Sequence, residues 1–174
     1  AAWPYVENPL FIESERLAPF NPRGSDVAVV LDLMIHDIDL VLTLTRAKVT
    51  DVSAAGVGVL TPSIDIADAR ISFANGAIAN ITASRISRER TRKLRLFQRN
   101  GYMSLDLAAG NGELFRLRSD VDMATLAQTA QPDVAAFVER IPLEAPEGDA
   151  LKLELESFVA AVRGEAPVPV TGAD

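Results

Sequence analysis

The 174-residue sequence predicts an α+β domain: an open, mostly antiparallel mixed sheet with helices packed on one face. Three observations lead there. Asn75-Gly76, Asn100-Gly101 and Asn111-Gly112 punctuate a stretch of short segments, the pattern of tight hairpins. Before that stretch, the apolar run 29–42 has the length of a helix. Near the end, Leu151, Leu155, Phe158, Val159 and Val162 share one face of a second helix.

The elements follow in order. Among Pro4, Pro9, Pro19 and Pro22 there is room for one strand, over 10–17, before Pro19-Phe20-Asn21-Pro22-Arg23-Gly24 breaks the chain. A helix starts near Ser25 or Asp26 and runs over 27–44. Valine and small residues over 49–60, then Ile66, Ala69 and Ile71 among polar positions over 65–73, give two strands. The Asn-Gly signals then separate strands over 77–85, 93–97, 102–107 and 113–118, so residues 65–118 read as an antiparallel meander. Residues 119–136 read as a loop, 137–143 as a strand and 149–163 as a helix stopped by Gly164. Outward positions between Thr82 and Phe97 mix apolar and polar residues, which predicts a homo-oligomer, at least a dimer, through the open sheet face.

Composition narrows the function. The length suits a single domain, 1–174, able to bury ~70% of its unfolded surface. With no cysteine, disulfides, thiolate chemistry and cysteine-based zinc sites are excluded, and a cytoplasmic location is expected. A net charge of −7 argues against nucleic acid, and no apolar run reaches the ~20 residues of a membrane span, so small molecules or proteins are the expected partners. The start, Ala1-Ala2-Trp3-Pro4, and the turn-like end after Pro167 read as boundaries cut from a longer protein.

Four ionisable groups, Asp32, His36, Asp37 and Asp39, interrupt the apolar run of the first helix. Such groups need partners or shifted pKa values. At ~100° per residue, Asp32, His36 and Asp39 form one stripe, while Asp37 is rotated away toward water or another element. Two readings stand for His36: a satisfied core histidine paired with Asp32, or an imidazole oriented by a carboxylate for proton transfer. Gly56-Val57-Gly58 lacks the third glycine and helix of a nucleotide loop and reads as strand packing; with one histidine, no metal site is expected. Arg85, Arg88, Arg90, Arg92, Lys93, Arg95 and Arg99 form the basic region of an acidic chain, and alternation divides Arg92 from Lys93 and Arg95. A solvated sheet edge, a subunit interface and recognition of a phosphorylated ligand all remain open for it. Arg16 and Arg23 precede the helix and are candidates for a substrate anion.

Asp32-x-x-x-His36 followed by Ile38-Asp39, together with residues 65–77, Thr82-Ala83-Ser84-Arg85 and Arg92-Lys93-Leu94-Arg95, resembles the substrate domain of the glucose-fructose oxidoreductase, inositol dehydrogenase and rhizopine-catabolism (Gfo/Idh/MocA) oxidoreductases. The resemblance covers most of residues 8–165. It implies a fold like the C-terminal domain of glyceraldehyde-3-phosphate dehydrogenase or dihydrodipicolinate reductase, and an enzyme whose N-terminal Rossmann half, absent from this chain, binds NAD or NADP and supplies a lysine. It also implies that this fragment alone is inactive, that His36 exchanges the substrate hydroxyl proton, and that Asp32 orients His36 or the sugar. Arg16, Arg23 and Asp39 would bind substrate. Within the family, Glu15-Arg16-Leu17-Ala18-Pro19-Phe20 and residues 32–39 look most like members that oxidise the 3-hydroxyl of UDP-N-acetylglucosamine, a step toward lipid A. The rival class is a non-catalytic oligomerisation or ligand-binding module of the same fold.

Overall fold

The first strand, β1 (Phe11–Leu17), lies in the interior of an eight-stranded sheet. The computed structural model describes residues 2–22, 26–118, 137–145 and 148–168. The remaining strands are β2 (Val49–Val57), β3 (Ile66–Phe73), β4 (Ile78–Ser84), β5 (Thr91–Gln98), β6 (Gly101–Asp106), β7 (Asn111–Leu117) and β8 (Val138–Glu144), in the order β2-β3-β4-β1-β5-β6-β7-β8. β1 pairs parallel with β4 and antiparallel with β5; all other pairings are antiparallel. The sheet is therefore mixed and mostly antiparallel. The meander expected over 65–118 is broken, because β1 occupies the position between β4 and β5.

A helix, α1 (Ile35–Thr45), connects β1 to β2. The expected helix over 27–44 does not run as one α-helix: a π-helical turn, Val30–Met34, leads into α1. The helix stops at Arg46, which adopts a left-handed conformation (φ 52°) and lies 5.0 Å from the Trp3 ring centroid.

Two hairpin signals act differently from expectation. β5 and β6 are joined through Arg99 and Asn100, with Gly101 already opposite Gln98 in the ladder. Asn111-Gly112 begins β7 and makes no turn; the turn is residues 107–110, where Asp106 Oδ1 accepts from the Ala108 and Ala109 backbone N–H groups at 3.0 and 2.9 Å. Gly112 is needed for a different reason: a Cβ there would lie 2.5 Å from the Ser104 carbonyl oxygen on β6.

Alternation along the strands separates two faces. One packs Ile12, Ala79, Ile81, Leu94, Leu96 and Met103 into the core, closed by Val29, Met34, Val41 and Leu44 from the helical segment. Each large side chain buried there contributes roughly 1.5–3 kcal/mol. The other face carries an aromatic row, Phe11, Phe97, Tyr102 and Phe115, with successive ring centroids 5.8, 4.8 and 6.0 Å apart. Beside the row lies a polar groove of about 520 Å³, lined among others by Glu13, Asp68, Arg70, Asn80, Lys93 and Arg95.

Residues 1–144 form one compact unit and residues 145–174 a second. The second unit holds α2 (Ala150–Val162), whose N-cap Asp149 accepts from the Leu151 N–H at 2.9 Å. Leu151, Leu155, Phe158, Val159 and Val162 are exposed.

Candidate active site

The rotation of the helical segment is fixed from its inner side. Met34, Asp37, Val41 and Leu44 recur at helical spacing and are buried. Asp37, only 2% exposed, accepts from Ser14 Oγ at 2.8 Å and from Arg16 Nε and Nη2 at 2.5 and 3.2 Å. Ser14 and Arg16 alternate with outward-facing glutamates on β1, so one strand presents a hydroxyl and a guanidinium to a single carboxylate.

With Asp37 held inward, Asp32, His36 and Asp39 are all exposed. No hydrogen bond or ion pair joins Asp32 to His36 among the described residues. The π-turn contains Asp32 and inserts extra backbone into the turn before His36, which alters the i,i+4 relation a regular α-helix would give. His36 is thus not a satisfied core histidine; its imidazole faces outward. Leu31, 65% exposed, and Ile35 are exposed on the same helical segment, which therefore presents apolar as well as charged side chains.

Arg16, expected to face a substrate anion, is 8% exposed and turned into the ion pair with Asp37. Its Nε and Nη2 are engaged on the core side of the sheet. Arg23 lies outside the described residues.

A second buried ion pair controls the segment leading into the helix. Asp65, fully buried, accepts at Oδ2 from the backbone N–H groups of Val59, Leu60 and Thr61 at 2.8, 2.7 and 2.9 Å. Its Oδ1 accepts from Thr61 Oγ1 and Arg85 Nε, both at 2.7 Å. Burial pushes this carboxyl up, but the backbone donor of Val59, both donors of Thr61 and the Arg85 guanidinium outweigh it and hold the group far below the usual carboxylate range. Arg85 Nη1 also donates to the Val27 carbonyl, Ser63 Oγ donates to the Asp26 carbonyl at 3.1 Å, and the Val29 N–H donates to the Ile64 carbonyl at 2.9 Å. The loop gathered around Asp65 therefore grips residues 26–29, just before the π-turn. Gly58 permits this closure, since a Cβ there would stand 2.7 Å from the Ser63 carbonyl oxygen. This agrees with reading Gly56-Val57-Gly58 as packing.

The Asp65–Arg85 pair was not singled out from sequence, although a signal existed. Both residues lie ten positions from Asn75, so a hairpin centred there places them opposite one another, next to the Ile66–Ser84 pair. Among the described residues, no three His, Cys, Asp or Glu side chains converge on a metal-sized site.

With the mixed sheet, the crossing helix and its exposed histidine in place, residues 13–104 match the GFO/IDH/MocA C-terminal domain. The chain belongs to the Gfo/Idh/MocA family. It is 38% identical over 160 residues to UDP-N-acetylglucosamine 3-dehydrogenase from Acidithiobacillus ferrooxidans, covering 92% of this chain and 48% of that protein. A solved structure of that enzyme superposes with a TM-score of 0.77 at 37% identity, again over 92% of this chain and 48% of the other. Levoglucosan dehydrogenase in complex with NADH shares the fold at 14% identity, with a TM-score of 0.73 over 95% of this chain and 52% of its own. The chain spans about half the length of the relatives it matches.

Proposed function

We propose that this chain is the substrate-side half of an NAD(P)-dependent oxidoreductase that oxidises the 3-hydroxyl of UDP-N-acetylglucosamine. The observation that carries the reading is the 38% identity to an enzyme of that name along 92% of the chain. The exposed His36 supports it chemically. His36 would take the substrate's hydroxyl proton on its imidazole, and a bound nicotinamide would supply the acceptor for the hydride of the alcohol carbon; the product would be a 3-keto sugar of the kind that amination toward lipid A consumes in the cytoplasm. Asp32 and Asp39, exposed on the same helical segment, orient the sugar through its other hydroxyls. Arg16 acts at one remove by holding Asp37.

The described residues do not fit the dinucleotide itself: Gly56-Val57-Gly58 ends a strand and closes a loop, and opens no helix that could receive a pyrophosphate. The cofactor is assigned to the N-terminal half of the full protein. The open sheet face is assigned to a second copy, supported by its aromatic row and by Phe97, an exposed aromatic within it.

The test is a nicotinamide absorbance assay on the full-length protein. Reduction of NAD or NADP with UDP-N-acetylglucosamine is expected. Oxidation of a different sugar with none of this one would sink the substrate; failure with all sugars, despite cofactor binding, would favour a non-catalytic module.

A further inference from the structure

We propose that Arg88, Arg90 and Arg92 form a seat for the diphosphate of a nucleotide-linked substrate, beside the helix that carries His36. This rests on the oxidoreductase reading above and assigns the part of the ligand that the helix does not hold.

Placement comes first. The β4–β5 connection that carries Arg88 and Arg90 is laced to the chain leaving β1: the Ala18 N–H donates to the Ser84 carbonyl at 2.8 Å, and the Ser87 N–H to the Ala18 carbonyl at 3.0 Å. From the same connection, Arg85 reaches the Val27 carbonyl ahead of the helix. Arg92 is the ladder partner of Arg16, and directly opposed residues of an antiparallel pair point to the same face. Arg16 in turn grips Asp37, the neighbour of His36. The three arginines therefore stand at the end of the sheet where the catalytic helix begins, with Arg92 on the helix side.

The basic region of the sequence does not act as one patch. Arg85 is consumed by Asp65. Lys93 and Arg95 line the groove on the opposite face, where Arg95 pairs with Glu13 at 3.3 Å. Arg99 belongs to the β5–β6 turn at the other end of the strands. Arg88, Arg90 and Arg92 are exposed and have no carboxylate partner among the described residues, whereas Arg116 and Arg140 pair with Glu139 and Glu113. In a chain of net charge −7, these three exposed guanidinium groups stand in one short run, with Glu89 the acidic residue within it. The buried carboxylates nearby, Asp37 and Asp65, are each neutralised by an arginine and do not oppose an anion. Guanidinium forks match diphosphate oxygens in both geometry and charge.

A diphosphate also occurs in the dinucleotide cofactor, so the experiment separates the two sources. R92Q and the double variant R88Q/R90Q are made in the full-length protein, with R99Q as a control for net charge. Expected are a rise of about ten-fold or more in KM for UDP-N-acetylglucosamine and in the inhibition constant of UDP, with KM for NAD unchanged and R99Q behaving as wild type. An unchanged KM and UDP inhibition constant, an effect confined to NAD, or an equal effect from R99Q overturns the proposal. Should the wild-type protein leave UDP-N-acetylglucosamine unoxidised, the substrate reading fails by itself, and calorimetric binding of UDP decides the seat. Binding that weakens in the variants supports it; no binding, or equal binding, overturns it.

Discussion

Asp37 and His36 are adjacent in sequence yet serve different sides of the helix, and the buried side decides what the exposed side can do. Replacing Arg16 by Met removes the Nε and Nη2 bonds from a carboxylate with a 3% exposed side chain. Breaking one partner of a buried pair costs about 3–5 kcal/mol, so urea unfolding of Arg16→Met should show a loss of that order, which a surface role for Arg16 would not produce. His36→Ala is expected to behave in the opposite way. The side chain is exposed, so the unfolding midpoint should stay near wild type. Turnover of the full-length enzyme should fall by about 10²–10⁴-fold with KM for the nicotinamide cofactor unchanged. Equal turnover in His36→Ala and wild type would return the histidine to a structural role.

At the scale of elements, the loop around Asp65 links stability to pH. The folded carboxyl is held far below its unfolded value of about 3.9, so the unfolded chain takes up the proton first. The contribution is therefore complete above about pH 4 and diminishes as pH falls below it. Thermal unfolding from pH 7 to pH 2 should show a decline beginning near pH 4, and Asp65→Asn, less stable at neutral pH, should show a shallower decline. The elements themselves were largely legible. Alternation located β3 to within a residue, because one of its faces is buried and the side-chain period is strict, while the flanking prolines and the Asn75-Gly76 signal bounded β1 and β4 equally closely. Helical spacing set Asp37 apart from Asp32, His36 and Asp39, and the structure buries Asp37 and exposes the other three, although the π-turn alters the i,i+4 relation expected between Asp32 and His36. What failed had a different physical origin. The π-turn at Val30–Met34 has no compositional mark, being set by tethers from a loop more than thirty residues later. Asn111-Gly112 carries a turn's composition, but close approach of β6 selects the glycine. The inward turn of Arg16 depends on which strand lies under the helix, and that is a property of topology.

For the whole molecule, the aromatic row and the neighbouring charged groove share one face of the sheet, and the homo-oligomer proposed for the full protein depends on that face being covered. Tyr102 sits between Phe97 and Phe115 in the row, with no role in the core on the other side. Tyr102→Glu in the full-length protein should shift sedimentation from dimer or larger to monomer while leaving the far-ultraviolet spectrum intact. An unchanged oligomer would place the contact elsewhere.

The interior position of β1 also governs how the chain is assembled. Its seven residues leave the ribosome before every strand they pair with, and neither neighbour, β4 or β5, is complete until Ser84 and Gln98 have been made. Until then a nascent chain carries a strand with two open edges, the condition that slows folding and invites wrong pairing. Without it, the remaining strands fall into a set of three and a set of four with no hydrogen bonds between them. β1 is thus secured on both edges only after Gln98 has been made, long after the helix α1 that follows it in the chain, and α1 can take up its final rotation over the sheet only once that delayed joint has closed.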